Sequence, residues 1–233
     1  MTNIDIDKIF GWSAKSWSRP FLCAMSDIQL PESCDILEVG AGRYSSVALL
    51  FLNGKNKLHI TSYPEAQIPE LRQYVEESCG NVAGSIKVSC MSAKDIGEYD
   101  LIVMKSVLGG IFRVDSSGKE DAEDLLCKIA EKNLKPRGTL VTLDNGATVL
   151  EPLLSRFGAR ANKWRFFVPS DFKKCERQYG FGLFSSFSVV TRFGVLGSQI
   201  EKSLYLLDAA IYSVVKVSKP SVIVTVYKRQ KEA

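Results

Sequence analysis

The sequence predicts an α/β fold with a mostly parallel sheet, an antiparallel last strand and helices on both faces. Three observations support this prediction. Strand-like and helix-like stretches alternate over residues 35–144, as they do when right-handed crossovers join parallel strands. The run DLIVMKSVL (100–108) is apolar almost throughout, as expected of a strand covered on both faces. Two later strand-like runs, 183–193 and 221–228, break the alternation and indicate that the last strand inserts antiparallel.

The individual elements follow in order along the chain. Strands are predicted over residues 35–39, 58–62, 85–90, 100–108, 139–144, 183–193 and 221–228. Helices are predicted over residues 45–54, 66–80, 119–134, 148–158, 170–180 and 199–216. Asn53-Gly54 and Gly80 are typical helix stops, and KPRG (135–138) ends the third helix.

Length and composition are those of one soluble domain. The chain has 233 residues, 45% of them hydrophobic and 24% charged, and no linker or repeat divides it. We divide the domain into an N-terminal helical cap (1–34), a strand–helix half (35–144) and a second half (145–233). Trp12 and Trp17 fall in the cap, where they can cover a ligand or simply pack in the core.

Composition also argues against several classes of partner. A net charge of +4 without a basic, aromatic-rich run gives no support to nucleic-acid binding. Six cysteines without a CxxC pair argue against a zinc site, and the absence of a secretory signal favours reduced thiols in a cytoplasm. No apolar run approaches the ~20 residues that span a bilayer. The apolar stripe of helix 199–216 is expected to pack on the sheet, with peripheral contact to a membrane as the alternative.

The turn in DILEVGAGRYSS (35–46) is the strongest sign of a ligand. Glycines directly after a first strand let the backbone approach a ligand at the start of the next element. Gly40 and Gly42 are present, but Ser45 stands where a dinucleotide motif has its third glycine. The end of the second strand offers Ser62 and Tyr63 and lacks the acid of that motif, which weakens a nicotinamide oxidoreductase interpretation. A P-loop is excluded because no Gly-Lys-Ser/Thr follows.

Glu38, two residues before the first glycine, suggests the kind of ligand. A carboxylate here is badly placed beside a pyrophosphate but suits a ligand with a cationic amino-acid moiety. S-adenosylmethionine has that moiety and carries no phosphate. The alternative is that Glu38 only caps the neighbouring turn.

Three segments carry a family resemblance. DILEVGAGRYSS (35–46), SCMSAKDIGEYDLIVMKSVLGGIF (89–112) and AEKNLKPRGTLVTLDNG (130–146) resemble, in order and spacing, motifs of class I S-adenosylmethionine-dependent methyltransferases. This resemblance implies a Rossmann-like methyltransferase fold with seven strands and S-adenosylmethionine as cofactor. KSVLGGI (105–111) and NKWRFF (162–167) more narrowly resemble small-molecule methyltransferases found among bacterial surface-polysaccharide genes, which implies a sugar or glycoconjugate precursor as acceptor.

The resemblance also implies roles for individual residues. It places the methionine part of the cofactor near Glu38, Gly40, Ala41 and Gly42, and it places Lys105 under the sulfonium. Ser62 corresponds to the ribose position, Tyr63 to the adenine face, and Ser92 and Ala93 to the adenine edge. Serines replace the usual acids at 62 and 92, and Tyr44 replaces a glycine. These departures leave open a non-catalytic, cofactor-binding relative that serves as a sensor or partner subunit.

Candidates for the chemistry lie at the ends of the middle strands. Asp144 is the candidate base, with a simple turn and cap to a helix from Ala147 as the alternative. Lys105 is a candidate for an anionic acceptor, or for a salt bridge to Asp144. The single histidine, His59, is expected to be structural.

The remaining candidates concern the acceptor. Asn145 beside the base can orient it, and Arg113, Trp164 and Arg165 suit a sugar or a phosphate-bearing ring. Ordinary packing with a charged rim is the alternative for KWRFF (163–167), which contains Trp164 and Arg165. No metal is expected, and the sequence predicts neither the acceptor atom nor the oligomeric state.

Overall fold

Seven strands form one sheet in the order β3-β2-β1-β4-β5-β7-β6. The computed structural model describes residues 9–10, 14–63, 65–91, 96–113, 121–147, 164–181, 203, 206–208, 210–211 and 220–229. The strands are β1 (Asp35–Val39), β2 (Lys57–Ser62), β3 (Lys87–Cys90), β4 (Tyr99–Lys105), β5 (Leu134–Asn145), β6 (Arg177–Phe181) and β7 (Val222–Lys228). The first five strands pair in parallel, and β7 inserts antiparallel between β5 and β6. The predicted fold class is therefore confirmed.

The helices of the described part include α1 (Ala14–Ser26), α2 (Ile68–Cys79), α3 (Leu108–Ile111) and α4 (Ala122–Asn133). Helix α4 begins where Asp121 accepts a hydrogen bond from the Asp124 N–H at 2.8 Å. Gly80, at a φ of +55°, ends α2, since glycine adopts this backbone conformation without strain. Both long predicted helices of the first half are thus confirmed.

The predicted helix over 45–54 is wrong, because this segment forms only a short 3-10 turn at Val47–Phe51. The Asn53 side chain accepts hydrogen bonds from the N–H groups of Lys55 and Asn56, both at 2.9 Å. Asn56 in turn donates to the Phe51 carbonyl at 2.9 Å. These side-chain bonds turn the chain back toward β2 and compete with helix propagation.

The predicted helix over 170–180 is also wrong. A 3-10 turn covers Pro169–Asp171, and β6 then pairs antiparallel with β7 from Arg177 to Phe181. Phe181 is fully buried by this pairing, so tertiary contacts override the local helical pattern. The predicted helix over 148–158 and the predicted strand over 183–193 lie outside the described residues.

Side chains of the sheet alternate between two buried clusters. Leu101 and Val103 of β4 belong to the cluster that contains Leu71 of α2, and we call that side the α2 face. Ile102 and Met104 belong to the cluster that contains Leu126 and Ile129 of α4, and we call that side the α4 face. Trp17 of α1 is 2% exposed within the α2-face cluster, so it is a core residue, whereas Trp12 lies outside the described residues.

Four further features of the described part concern membrane spans, metal clusters, thiols and the predicted helix 199–216. No described helix is long and apolar enough to cross a membrane, and no described cluster of His, Cys, Asp and Glu side chains is arranged to hold a metal ion. All six thiols are free. Within the predicted helix 199–216, Leu207 of the apolar stripe is 47% exposed, so this part of the stripe is not packed on the sheet.

Candidate active site

The candidate site lies where the strand order reverses, between β1 and β4. In open α/β sheets, ligands bind beyond the carboxyl ends of strands at such a point. Val39 of β1 pairs with Met104 of β4, so the loop from Gly40 and the segment from Lys105 leave the sheet side by side. The topology therefore brings two of the predicted motifs together.

The turn after β1 requires glycine at its first position. Gly40 has a φ of +73°, and a Cβ added there would lie 2.6 Å from Cγ2 of Val107. The Ala41 N–H donates to the Thr61 carbonyl at 2.7 Å, and Gly42 bridges to Ser45. The loop is therefore held tightly against the end of β2 and the residues that follow β4.

Glu38 ties this loop to the element that follows it. Its side chain is fully buried, and Oε2 accepts hydrogen bonds from the Ser46 hydroxyl at 2.5 Å and the Ala48 N–H at 2.9 Å. The other oxygen, Oε1, is buried without a partner among the described residues. Burial raises the pKa of Glu38, and the nearby Lys105 charge opposes that shift. One oxygen thus caps the turn, and the other remains available.

Lys105, at the end of β4, points inward on the α2 face. Only 6% of it is exposed, and its ammonium donates to Ser45 Oγ at 2.7 Å and to the Phe10 carbonyl at 3.3 Å. Burial lowers the pKa of Lys105, and the Glu38 carboxylate opposes that shift. The salt bridge to Asp144 that the sequence left open is wrong. Lys105 pairs in register with Leu143, so the side chain of Asp144 lies on the opposite face of the sheet.

Asp144 lies under the start of α3. Its Oδ1 accepts a hydrogen bond from the Leu108 N–H at 3.1 Å, and Oδ2 is buried without a partner among the described residues. Burial raises the pKa of Asp144 to about 7, while backbone N–H groups at the start of α3 favour the charged form. The carboxyl therefore anchors α3, whereas the helix from Ala147 that the sequence offered as an alternative lies outside the described residues.

Ser106, which the sequence analysis did not single out, carries backbone strain at the same place. It has a φ of +57°, which is unfavourable for a residue with a Cβ. Its N–H donates to the Leu143 carbonyl at 2.7 Å, and its hydroxyl accepts a hydrogen bond from the Asn145 side chain at 3.5 Å. A serine after an apolar run gives no sequence signal for this conformation.

The segment KSVLGGI (105–111) packs against residues 164–167, which are the described part of NKWRFF. The Arg165 N–H donates to the Gly109 carbonyl at 3.1 Å, and a Cβ on Gly110 would lie 3.3 Å from the Trp164 ring. Asn145 joins this group because its carbonyl accepts from the Phe167 N–H at 3.0 Å. The structure thus brings three predicted acceptor residues together.

The two arginines of the acceptor candidates differ in their surroundings. The Arg165 guanidinium lies 3.6 Å from the Asp171 carboxylate and 5.2 Å from the centre of the Phe167 ring. Arg113 is exposed after α3. Arg165 therefore already has an intramolecular counter-charge, as the packing alternative expects.

The residues expected around the adenosine are less clearly assembled. Ser62 is 1% exposed, and its hydroxyl donates to Gln67 Oε1 at 2.9 Å. Tyr63 is 74% exposed, so its ring is open to stacking. Gln67 was missed because no pattern in the sequence marks it. Ser92 and Ala93 lie outside the described residues.

His59 is structural, as expected. Its two ring nitrogens lie 2.7 Å from the Tyr99 hydroxyl and 2.7 Å from the Ser89 hydroxyl. Burial, with a smaller contribution from the Lys87 charge, lowers the pKa of His59 to about 4. A neutral, doubly bonded imidazole within β2 is remote from the candidate site.

Comparison with known proteins supports the fold. No protein-family model and no curated protein matches the chain. Geranyl diphosphate C-methyltransferase from Streptomyces coelicolor A3(2) superposes with a TM-score of 0.58 at 12% identity, covering 91% of this chain and 76% of that one. The YcgJ protein from Bacillus subtilis gives a TM-score of 0.54 at 12% identity, with coverages of 91% and 99%.

A third solved structure is longer than this chain. Phosphoethanolamine N-methyltransferase 2 from Haemonchus contortus gives a TM-score of 0.57 at 12% identity, covering 97% of this chain but only 56% of its own length. The chain thus spans about half of that enzyme. At such identities the likeness concerns the fold alone. The chain has the Rossmann-like fold of class I S-adenosylmethionine-dependent methyltransferases.

Proposed function

We propose that this protein is an S-adenosylmethionine-dependent methyltransferase that acts on a small molecule. The observation that carries the proposal is the glycine loop at the switch point of the sheet. Gly40 leaves no room for a side chain there, and Glu38 Oε1 is buried beside the loop with no partner in the part of the chain that the structure describes. An orphaned carboxylate oxygen next to close backbone suits the ammonium of an amino-acid moiety, directly or through water.

The residues present fit this cofactor on the amino-acid side. Glu38, Gly40, Ala41 and Gly42 would hold the methionine part, and Lys105 lies at the same place. Solved neighbours were crystallised with S-adenosylmethionine or S-adenosylhomocysteine. The bound cofactor supplies an electrophilic methyl group, and the protein then contributes mainly position and exclusion of water.

The adenosine side fits less completely. The exposed Tyr63 ring can cover adenine, and the Ser62 oxygen can accept one hydrogen bond from a ribose hydroxyl although its proton is used by Gln67. Ser92 and Ala93 complete the proposed set.

We place the acceptor at the other side of the β4 end. Trp164 adjoins Gly109 and Gly110 there, and Asn145 bonds the Phe167 N–H. An aromatic ring with Arg165 beside it in the chain suits a sugar or glycoconjugate precursor. Asp144 is the proposed base, because no described residue bonds its Oδ2 and its pKa of about 7 suits proton transfer near neutrality. Neighbours named for phosphoethanolamine and geranyl diphosphate are consistent with a small acceptor.

The remaining expectations belong to this proposal. The chain would be one methyltransferase domain whose residues 35–144 bind the cofactor and whose residues 145–233 face the acceptor. It would act in the cytoplasm, without nucleic acid.

A non-catalytic cofactor-binding relative is the second candidate. It is favoured by the hydrogen bond of Ser62 to Gln67, which occupies a hydroxyl expected to hold the ribose. Transfer of a labelled methyl group from S-adenosylmethionine to sugar and nucleotide-sugar acceptors separates the two. Turnover that falls at least about 100-fold in Asp144→Asn supports the enzyme and its base. Cofactor binding without turnover on any acceptor would favour the binding relative.

A further inference from the structure

Lys105 is a buried cation that forms no ion pair with a carboxylate among the described residues. An ammonium has three N–H donors, and described residues accept from it at two places, Ser45 Oγ and the Phe10 carbonyl. Both acceptors are neutral. An anionic partner would stabilise a cation that is bonded only to neutral acceptors, because burial of an ion without a counter-ion costs free energy.

Glu38 does not supply that partner. It lies on the same face of the sheet, but no ion pair within 4.0 Å joins the two described side chains. One Glu38 oxygen is instead bonded to Ser46 and Ala48. The two charges interact only across a gap.

The ammonium of Lys105 also lies close to the loop that contains Gly40 and Gly42. The Ser45 oxygen that accepts from Lys105 at 2.7 Å would lie 2.8 Å from a Cβ added on Gly42. A ligand that lies on Gly42 therefore comes within reach of the lysine. Phe10, the other acceptor, is held in place by edge-on packing on Phe21 of α1, with ring centres 5.6 Å apart.

We propose that Lys105 binds an anionic oxygen group, namely the carboxylate of the cofactor's amino-acid moiety. This inference rests on the proposed function. Glu38 and Lys105 then form a matched pair, in which the carboxylate of the protein faces the ligand's ammonium and the ammonium of the protein faces the ligand's carboxylate. The anionic group of an acceptor is the other source of the same chemistry.

The test is calorimetric binding of two ligands that differ by one carboxylate. S-adenosylhomocysteine is compared with its decarboxylated analogue, S-adenosyl-3-thiopropylamine, on the wild type, Lys105→Met and Lys105→Arg. Lys132→Met is the matched control, because it removes an exposed lysine from the far end of α4. Wild type and control should prefer S-adenosylhomocysteine at least about tenfold, as expected for a charge-assisted hydrogen bond.

The preference should shrink to about threefold or less in Lys105→Met and return in Lys105→Arg. Should Lys105→Met not fold, Lys105→Gln gives the same comparison with a neutral donor. A Lys105→Met preference equal to that of the wild type would overturn the inference. If that variant instead raised only the KM of an anionic acceptor, Lys105 would belong to the acceptor site and the cofactor assignment would be wrong. Wild-type protein that binds neither ligand would contradict the proposed function itself, and the inference with it.

Discussion

At the scale of single residues, Gly40 has the most constrained position of the site. Its positive φ alone would disfavour any residue with a side chain, and Val107 fills the space in which a Cβ would stand. Gly54 shares the backbone conformation, with a φ of +76°, but nothing lies within 4 Å of its missing side chain. A comparison of the two glycines therefore separates the free-energy cost of a positive φ from the cost of a clash between a new Cβ and Val107.

Gly40→Ala should therefore lower the free energy of unfolding more than Gly54→Ala. The conformational penalty common to both is about 1 kcal/mol, and the Val107 clash should add about 1–3 kcal/mol in Gly40→Ala alone. Chemical denaturation of the two variants measures the difference. Equal losses in both would show that the turn after β1 is not packed against Val107.

Glu38 has a structural role as well as a proposed role in ligand binding. Glu38→Ala leaves the Ser46 hydroxyl and the Ala48 N–H without their acceptor, so it should cost about 2–4 kcal/mol of stability. Glu38→Gln keeps an oxygen for these donors and should retain most of the stability while it weakens S-adenosylhomocysteine binding. Denaturation and calorimetry on both variants check this. Unchanged binding in Glu38→Gln would remove the carboxylate from the proposed site.

At the scale of elements, β5 shows how pairing reshapes a local pattern. The sequence predicts a strand from residue 139, yet β5 already begins at Leu134. Its register with β4 shifts between Tyr99 and Leu101, and the bulge brings Arg137 to a φ of +67°. Glycine adopts this conformation without strain, so Arg137 carries a conformational cost here.

Arg137→Gly should stabilise the protein by about 1 kcal/mol, because glycine relieves the left-handed backbone. Arg137→Ala is the matched control, since it removes the same exposed side chain but keeps the Cβ and the strain. Thermal unfolding of the two variants makes the comparison. A Gly variant no more stable than the Ala variant would contradict a left-handed residue at 137.

The elements also show what the sequence could and could not predict. Periodicity and stops predicted α2, α4 and the first five strands, because each of these elements has its own local signal. Strand β6 was missed, since its residues become a strand only by pairing with β7, more than forty positions later in the chain. In the candidate site, too, only residues with a local sequence signal were predictable. Gly40 and Glu38 were predictable from a contiguous motif, whereas Ser106 and Gln67 depend on neighbours that only the fold supplies.

At the scale of the whole molecule, two buried groups make opposite contributions to the pH dependence of stability. The pKa of His59 is lowered to about 4, so the folded state is favoured above its ordinary value near 6.5 and loses that contribution as pH falls toward 4. The pKa of Asp144 is raised from 3.8 to about 7, so between these pH values the folded state binds more protons than the unfolded state. The free energy of unfolding therefore falls as pH rises from about 4 to 7. The two contributions partly cancel in the wild type.

Asp144→Asn should remove the contribution of Asp144 to the pH dependence of stability and leave that of His59. Relative to the wild type, the variant should gain stability as pH rises from about 4 to 7, at about 1.4 kcal/mol for each unit of the pKa shift, and the gain should then level off. Denaturation series across this range provide both curves. Parallel curves would mean that Asp144 titrates at its ordinary value, and its proposed role as a base near neutrality would lose its support.

The central claim is that the switch point of the sheet binds an adenosyl amino acid. Calorimetric titration of the purified protein with S-adenosylmethionine and S-adenosylhomocysteine, and with NADH as control, tests it most directly. We expect micromolar binding of either adenosyl ligand and no binding of NADH. Binding of NADH alone, or of none of the three, would contradict it.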